Sequence, residues 1–376
     1  MNPKTPMRPT ALPDLSGEEY GGQKNRHDRE LLIMMMVSLV LLIVLLAFFV
    51  PVAWRRANAE AALHDSLSDD TLQSGNEISH DPLPTDEAVG GTEEEIPAGN
   101  APSIECRMPV TTDATQMIAE SDMDASHAIL VDLTTSEVVA QRLADERIYP
   151  ASMTKIMTVL IAVESLTAAE LETTFTMTDA IVNEAIREGA SRAGFEPGER
   201  VKLIDLLYGA ALPSGADATA ALAQYLAGSE EQYVVLMNQK AQDLGLTQTH
   251  FVNASGLHHE DHYSTVREIA ALMGYAMEND LCRRLLSAAS YTTASTDQHP
   301  YGITLYSTTF SRMTTTSFGP VSVIAGKTGY TEEARFCLVS LATRVDGREY
   351  ILVTVGGSSK YAPVSDCNAV YGKYLF

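Results

Sequence analysis

The sequence predicts a mixed α/β (α+β) domain in which strands from both ends of the domain form one antiparallel sheet flanked by helices. Two observations carry this. Near residue 127, "SHAILVDLTTSEVVAQRL" reads as two apolar strands on either side of Thr134–Ser136, the pattern of a hairpin. Near the C-terminus, "RFCLVSLATRV" and "REYILVTVGG" form a second apolar pair joined at Asp346–Gly347, a hairpin turn dipeptide. The intervening sequence has mostly helical periodicity, so both strand pairs belong to one domain, placed at residues 115–376.

The elements follow in chain order. A helix starts near Ser152 and runs through "MTKIMTVLIAVESL". Two helices, broken at Pro213–Ser214, fit "GERVKLIDLLYGAALPSGADATAALAQYLAG". In "STVREIAALMGYAM", Thr265 and Glu268 have the spacing of a capping box at a helix start. "YGITLYSTTF" and "VSVIAGK" read as strands leading into the C-terminal pair, and "SDCNAVYGKYLF" reads as a closing helix.

Upstream of the domain the chemistry changes. Residues 31–50, "LLIMMMVSLVLLIVLLAFFV", have Ser38 as their only polar side chain, and as a helix they span the roughly 30 Å of a bilayer core. The run follows a 30-residue polar segment, and no small-residue cleavage site comes close behind it, so it reads as an uncleaved single-pass anchor at 31–53 rather than a signal peptide. Lys4, Arg8, Lys24, Arg26 and Arg29 precede it, against Arg55 and Arg56 behind it. This bias puts the tail 1–30 in the cytoplasm and the domain outside the cell membrane, facing the wall.

Residues 54–114 read as an acidic disordered spacer: between 57 and 105 there are 12 acidic residues and no Lys or Arg. With a net charge of −23 over the whole chain, a nucleic-acid partner is excluded. The four cysteines, Cys106, Cys282, Cys337 and Cys367, lack metal-ligand spacing. Cys337 lies in an apolar strand and reads as a core residue. The one pair with a case for a disulfide is Cys106–Cys367, because the first residues of the domain and its last helix should lie close together.

Three short segments bear reactive groups, and each has an ordinary structural reading. In "YPASMTKIMT", Ser152 and Lys155 are one helical turn apart, either a nucleophile with its base or two side chains on a helix surface. In "LPSGADA", Ser214 sits at a helix break, where a hydroxyl also serves as an N-cap. In "GKTGYT", Lys327, Thr328 and Gly329 end a strand, which on its own reads as an exposed strand end. A fourth stretch, His258, His259, Glu260, Asp261 and His262, resembles a metal cluster only in composition.

Their order joins them. S-x-x-K, a serine at a helix break some 60 residues later, then K-T-G on a strand is the order of the penicillin-recognising serine enzymes. "GFEPGERVKLIDLLYGAALPSGADA", "THFVNASGLHHEDHYST" and "GKTGYTEEARFCLVS" resemble successive segments of the serine D-alanyl-D-alanine carboxypeptidases, the low-molecular-mass penicillin-binding proteins. The similarity covers roughly residues 115–376. It implies a penicillin-binding, DD-peptidase-like transpeptidase fold, and peptidoglycan pentapeptides as substrate. It implies Ser152 as nucleophile, Lys155 as its base and Ser214 as a third catalytic group. Lys327, Thr328, Gly329 and Tyr330 would bind substrate, with the backbone N–H groups of Ser152 and Tyr330 forming the oxyanion hole. β-Lactams become covalent inhibitors, and neither cofactor nor metal is required.

Two departures qualify the resemblance. Ala216 stands where many relatives carry Asn, and "GGSSKYAPVSD" offers only Lys360 where relatives use Arg for the substrate's terminal carboxylate. They leave room for a catalytically inactive wall-binding homologue. A β-lactamase is less compatible, since no Glu lies four residues before an Asn between the S-x-x-K and K-T-G motifs.

Overall fold

The computed structural model describes residues 105–375. The anchor expected at 31–53 and most of the expected spacer lie outside the described residues. In chain order the strands are β1 (Gln116–Met117), β2 (His127–Asp132), β3 (Glu137–Arg142), β4 (Thr174–Thr176), β5 (Arg200–Lys202), β6 (Ser290–Thr292), β7 (Thr304–Tyr306), β8 (Ser317–Phe318), β9 (Val321–Thr331), β10 (Arg335–Arg344) and β11 (Glu349–Gly357). The helices are α1 (Lys155–Ser165), α2 (Ala168–Leu171), α3 (Asp179–Arg187), α4 (Leu203–Ala211), α5 (Ala216–Ala227), α6 (Glu230–Asp243), α7 (Val266–Met277), α8 (Asp280–Ser287) and α9 (Ala362–Tyr374).

One seven-stranded sheet, in the order β1-β3-β2-β11-β10-β9-β8, unites the two ends of the domain, with β2 pairing antiparallel to β11. Only the β1–β3 pair at its edge is parallel. Strand alternation sorts the side chains into two cores. Ile129, Val131, Val339, Leu341, Ile351 and Val353 face the helical cluster. Their neighbours Leu130, Leu338, Ala342, Tyr350 and Leu352 face α9 through Cys367, Val370 and Tyr371. Within the helical cluster α1 is buried from Lys155 through Val163, a helix with almost no wet face.

The hairpins and the helix break stand where the sequence places them, and Gly347 takes the positive φ (87°) that the Asp346–Gly347 turn needs. "YGITLYSTTF" forms only the short β7, which pairs with β6 in a separate ribbon outside the large sheet. The capping box at α7 is half formed. Thr265 accepts from the Glu268 N–H at 3.1 Å, but the Glu268 carboxylate turns away to Gln248 N and Thr249 Oγ1. The ordered domain also begins before residue 115. Val110 bridges Glu137, and Arg267 on α7 donates to the Pro109 carbonyl at 2.8 Å and to the Asp145 carboxylate.

The pairing of Cys106 with Cys367 is not formed: all four cysteines are free. Cys106 packs against the helical cluster, its Sγ 3.9 Å from the Ala271 carbonyl on α7, whereas Cys367 lies in the core beneath α9. The sheet stands between them. Burial pushes the Cys106 thiol up to about 11 and those of Cys282, Cys337 and Cys367 up to about 12, which suppresses the reactive thiolate. Protein purified without reductant is therefore expected to resist alkylation while native and to take up four labels once denatured. Intact-mass measurement checks this; a denatured species with two sites refractory to alkylation would reveal a disulfide.

Candidate active site

The Ser152 turn is shaped by what packs around it. Ala151–Thr154 form a 3-10 turn leading directly into α1, with Ala151 in the left-handed region (φ 47°). Gly256 (φ +80°) lies so close to the Ala151 carbonyl that no Cβ fits there. On the other side, a Cβ at Gly329 of β9 would come within 3.0 Å of the Pro150 carbonyl and 3.2 Å of the Ser152 nitrogen. Two glycines from different layers thus clamp the turn and leave the serine side chain facing the space between them.

One turn further along, Lys155 is 2% exposed, with Nζ 3.0 Å from Ser152 Oγ and 2.5 Å from the Ser255 carbonyl. Burial brings its ammonium down to about 7, against the opposing pull of Asp217 and Glu230. Neighbouring Thr154 is held by His262. The Val252 N–H donates to His262 Nδ1 at 3.1 Å, so the ring proton sits on Nε2 and goes to Thr154 Oγ1 at 2.8 Å. Burial holds that imidazole neutral, bringing it down to about 3. The rest of the histidine-rich stretch disperses. His258 packs edge-on to Tyr149 and faces Glu333, while His259 stays exposed beside Asp261.

Ser214 is not the N-cap of α5. Gly215 holds that position without any side-chain cap, and Ser214 itself adopts a left-handed φ of 66°. This conformation costs a non-glycine residue about 1 kcal/mol or more. Its hydroxyl accepts a hydrogen bond from Lys327 Nζ at 2.8 Å. Lys327 is 1% exposed and also donates to the Thr328 carbonyl at 3.2 Å. Burial pushes it well below the usual lysine range, and the charges of Lys155 and Arg312 act in the same direction. Lys327, expected to bind substrate, is not in the cavity lining; its Nζ reaches the hydroxyl of Ser214, which is. The buried Asp217 carboxylate accepts from Ala193 N at 2.8 Å and Gly194 N at 3.1 Å, and Ala216 N donates to the Ser191 carbonyl at 2.7 Å. These bonds lace segment 189–195 to the helix break.

Ser152, Lys155, Ser214, Thr328, Gly329 and Tyr330 meet around one cavity of about 300 Å³. Its other lining includes Ser191, Ala216, Ser255, Thr308, Arg312, Phe336 and Lys360. Thr328 Oγ1 lies 2.7 Å from Thr308 Oγ1, and half-exposed Tyr330 stacks on Phe336 at 4.4 Å. Arg312 Nη1 is buried with no hydrogen-bond partner among the described residues, an unmet donor in the cavity wall. Sequence reasoning missed Arg312, Thr308 and Asp217. Arg312 lies in a segment without periodicity, and Thr308 lies near the end of the stretch read as a strand, beyond the short β7 that actually forms. Asp217 had one legible signal, an acidic side chain in the first turn of a helix.

The chemical capacity of this arrangement is acyl transfer: a serine beside a lysine that can be neutral near pH 7, a second lysine-held hydroxyl, and a cationic recess. The comparisons with known proteins agree. The D-alanyl-D-alanine carboxypeptidase family model matches residues 112–359. D-alanyl-D-alanine carboxypeptidase DacF of Bacillus subtilis is 34% identical over 239 residues, 63% of this chain and 58% of that protein. DacC of Escherichia coli is 39% identical over 178 residues, 46% of this chain and 44% of that protein, so this chain spans about half the length of the curated relatives it matches first. The crystal structure of the Streptomyces K15 DD-transpeptidase superposes with a TM-score of 0.60 at 29% identity, covering 68% of this chain and 99% of that one. The fold is that of the penicillin-binding DD-peptidases. Because the family match takes in Ser152, Lys155, Ser214 and Lys327–Gly329 together with the sheet and helices that hold them, the chain belongs to the D-alanyl-D-alanine carboxypeptidase family.

Proposed function

We propose that this chain is a serine D-Ala-D-Ala carboxypeptidase that removes the terminal D-Ala from peptidoglycan stem peptides through a Ser152 acyl-enzyme. The observation that carries the reading is the buried Lys155 amine 3.0 Å from Ser152 Oγ. Neutral Lys155 takes the hydroxyl proton as Oγ attacks the penultimate D-Ala carbonyl. By resemblance to the family, the N–H groups of Ser152 and Tyr330 receive the oxyanion. Collapse breaks the peptide bond, and the proton that Lys155 took reaches the departing amine by way of Ser214, which gives its own proton and receives that one in exchange while Lys327 holds its oxygen. Water then frees the acyl group. A β-lactam enters the same path and stays as a slowly released acyl-enzyme.

Arg312 answers the missing carboxylate-binding Arg. Its guanidinium belongs to the wall of the same cavity as Thr328 and supplies the cation for the substrate's terminal carboxylate, with Lys360 as a second positive charge in the lining. The missing Asn at Ala216 is offset on the lysine side by the Ser255 carbonyl, which already accepts from Lys155. We read the protein as a working enzyme rather than an inactive homologue because every proton-handling group is in place.

The same reading anchors the enzyme. The apolar run 31–50 and the basic residues ahead of it support a single-pass membrane protein with its N-terminus in the cytoplasm and the catalytic domain facing the wall.

Fluorescent penicillin should label full-length protein in the membrane fraction. Ser152→Ala should abolish labelling, and Lys155→Ala should slow it by roughly 10²–10⁴-fold, the usual worth of a general base. Full labelling of Ser152→Ala would sink the assignment.

The pH dependence follows from the lysine. The base form of Lys155 exists above its pKa of about 7 and is lost below it, so acylation should reach a plateau above neutrality and fall about tenfold per unit below. Stopped-flow acylation across this range is the check, and a flat profile would remove Lys155 as base.

Arg312→Leu should raise KM for a peptide ending in D-Ala-D-Ala by roughly tenfold or more, the loss of a charge-assisted hydrogen bond, with a smaller effect on kcat. Steady-state release of D-Ala measures it.

A further inference from the structure

Thr308 belongs to none of the three reactive motifs, yet it touches two of the segments that carry them. Its backbone N–H donates to the Leu212 carbonyl at 3.0 Å, two residues before Ser214. Its hydroxyl lies 2.7 Å from that of Thr328 on β9. Four residues on, at the end of the 3-10 turn Phe310–Arg312, Arg312 reaches the wall of the same cavity. Thr308, Thr328 and Arg312 all line it.

We propose that Thr308 is a positioning residue for recognition of the leaving group, setting the direction of the Thr328 hydroxyl so that the site selects a free carboxylate over an ester or amide. This rests on the carboxypeptidase reading above. A threonine hydroxyl has one proton to give. Among the described residues, the Thr308 hydroxyl has a single hydrogen-bond partner, Thr328 Oγ1. When Thr308 donates its proton there, the Thr328 proton is left to point into the cavity beside the Arg312 guanidinium. A carboxylate entering that recess accepts from both, and the Thr308→Thr328→carboxylate chain is polarised in one direction, each bond strengthening the next. An ester or carboxamide carries no charge to align the chain. Ser152 abuts Gly329, the next residue along β9 from Thr328, so a group leaving the attacked carbonyl lies within reach of the Thr328 hydroxyl.

The test compares acylation of Ser152 by benzylpenicillin, which carries a carboxylate, with acylation by its methyl ester, in wild type, Thr308→Val and Thr308→Ser. Valine keeps the shape and deletes the hydroxyl; serine keeps the hydroxyl. The acid-to-ester rate ratio is expected to fall roughly three- to tenfold in Thr308→Val, the worth of one neutral hydrogen bond, with the ester rate nearly unchanged. Thr308→Ser should restore the ratio. Equal loss of both rates in Thr308→Val, or no rescue by serine, would mean that Thr308 only supports the fold and would overturn the proposal, as would a wild type indifferent to the ester. A wild type acylated by neither compound would instead defeat the carboxypeptidase reading, and the Thr308 assignment with it.

Discussion

Two lysine ammonium groups stand in the seam between a β-sheet and a helical cluster, and no carboxylate touches either of them. Among the described residues, Lys155 meets only Ser152 Oγ and the Ser255 carbonyl; Lys327 meets only Ser214 Oγ and the Thr328 carbonyl. Burying a full charge against neutral oxygens is expensive unless the group gives up its proton. Pairing either lysine with Asp or Glu would relieve that cost and also restore an ordinary, inert ammonium. The carboxylate of Asp217 acts on Lys155 from a distance while its oxygens are taken by backbone N–H groups of segment 189–195. The fold therefore keeps two buried lysines without a carboxylate partner, and the reactivity of the serine depends on the neutral amine that this burial favours.

The surrounding architecture supplies the rigidity. α1 is buried along nearly its whole length, so Lys155 cannot swing out to water without unpacking Ile156, Met157 and Leu160. β9 lies between β8 and β10, with Lys327 opposite Val339 in the antiparallel register. Strain is concentrated at Ala151 and Ser214, the two left-handed non-glycine residues beside the reactive groups. The packing that holds them there also fixes their side chains.

Much of this was legible in the sequence wherever a local rule applied. The hairpins at Thr134–Ser136 and Asp346–Gly347, the break at Pro213–Ser214 and the one-turn spacing of Ser152 and Lys155 are all local patterns, and the chain follows them. What escaped was decided by tertiary packing. Lys327, expected to bind substrate, reaches the hydroxyl of Ser214 instead. Arg312 is brought to the site by a segment with no periodicity to flag it, and Thr308 by a stretch that reads as strand but runs beyond the short β7. Cys106 and Cys367 pack against opposite faces of the sheet, and that separation is invisible to an argument from the ends of the domain lying together. Glu268 has capping-box spacing, but Gln248 and Thr249 offer its carboxylate better donors than the N-cap.

The glycine clamp on the Ser152 turn has one more consequence. Gly256 comes from the loop ahead of α7 and Gly329 from the sheet, so the turn takes its shape only after the helical and sheet layers have closed on each other. A collapsed chain with its layers undocked holds the same serine and lysine without their geometry. Under the proposed chemistry, covalent capture by a penicillin counts natively closed molecules one by one. The enzyme thus carries its own reporter of conformational integrity, readable in a crude cell lysate without purification or a melting curve.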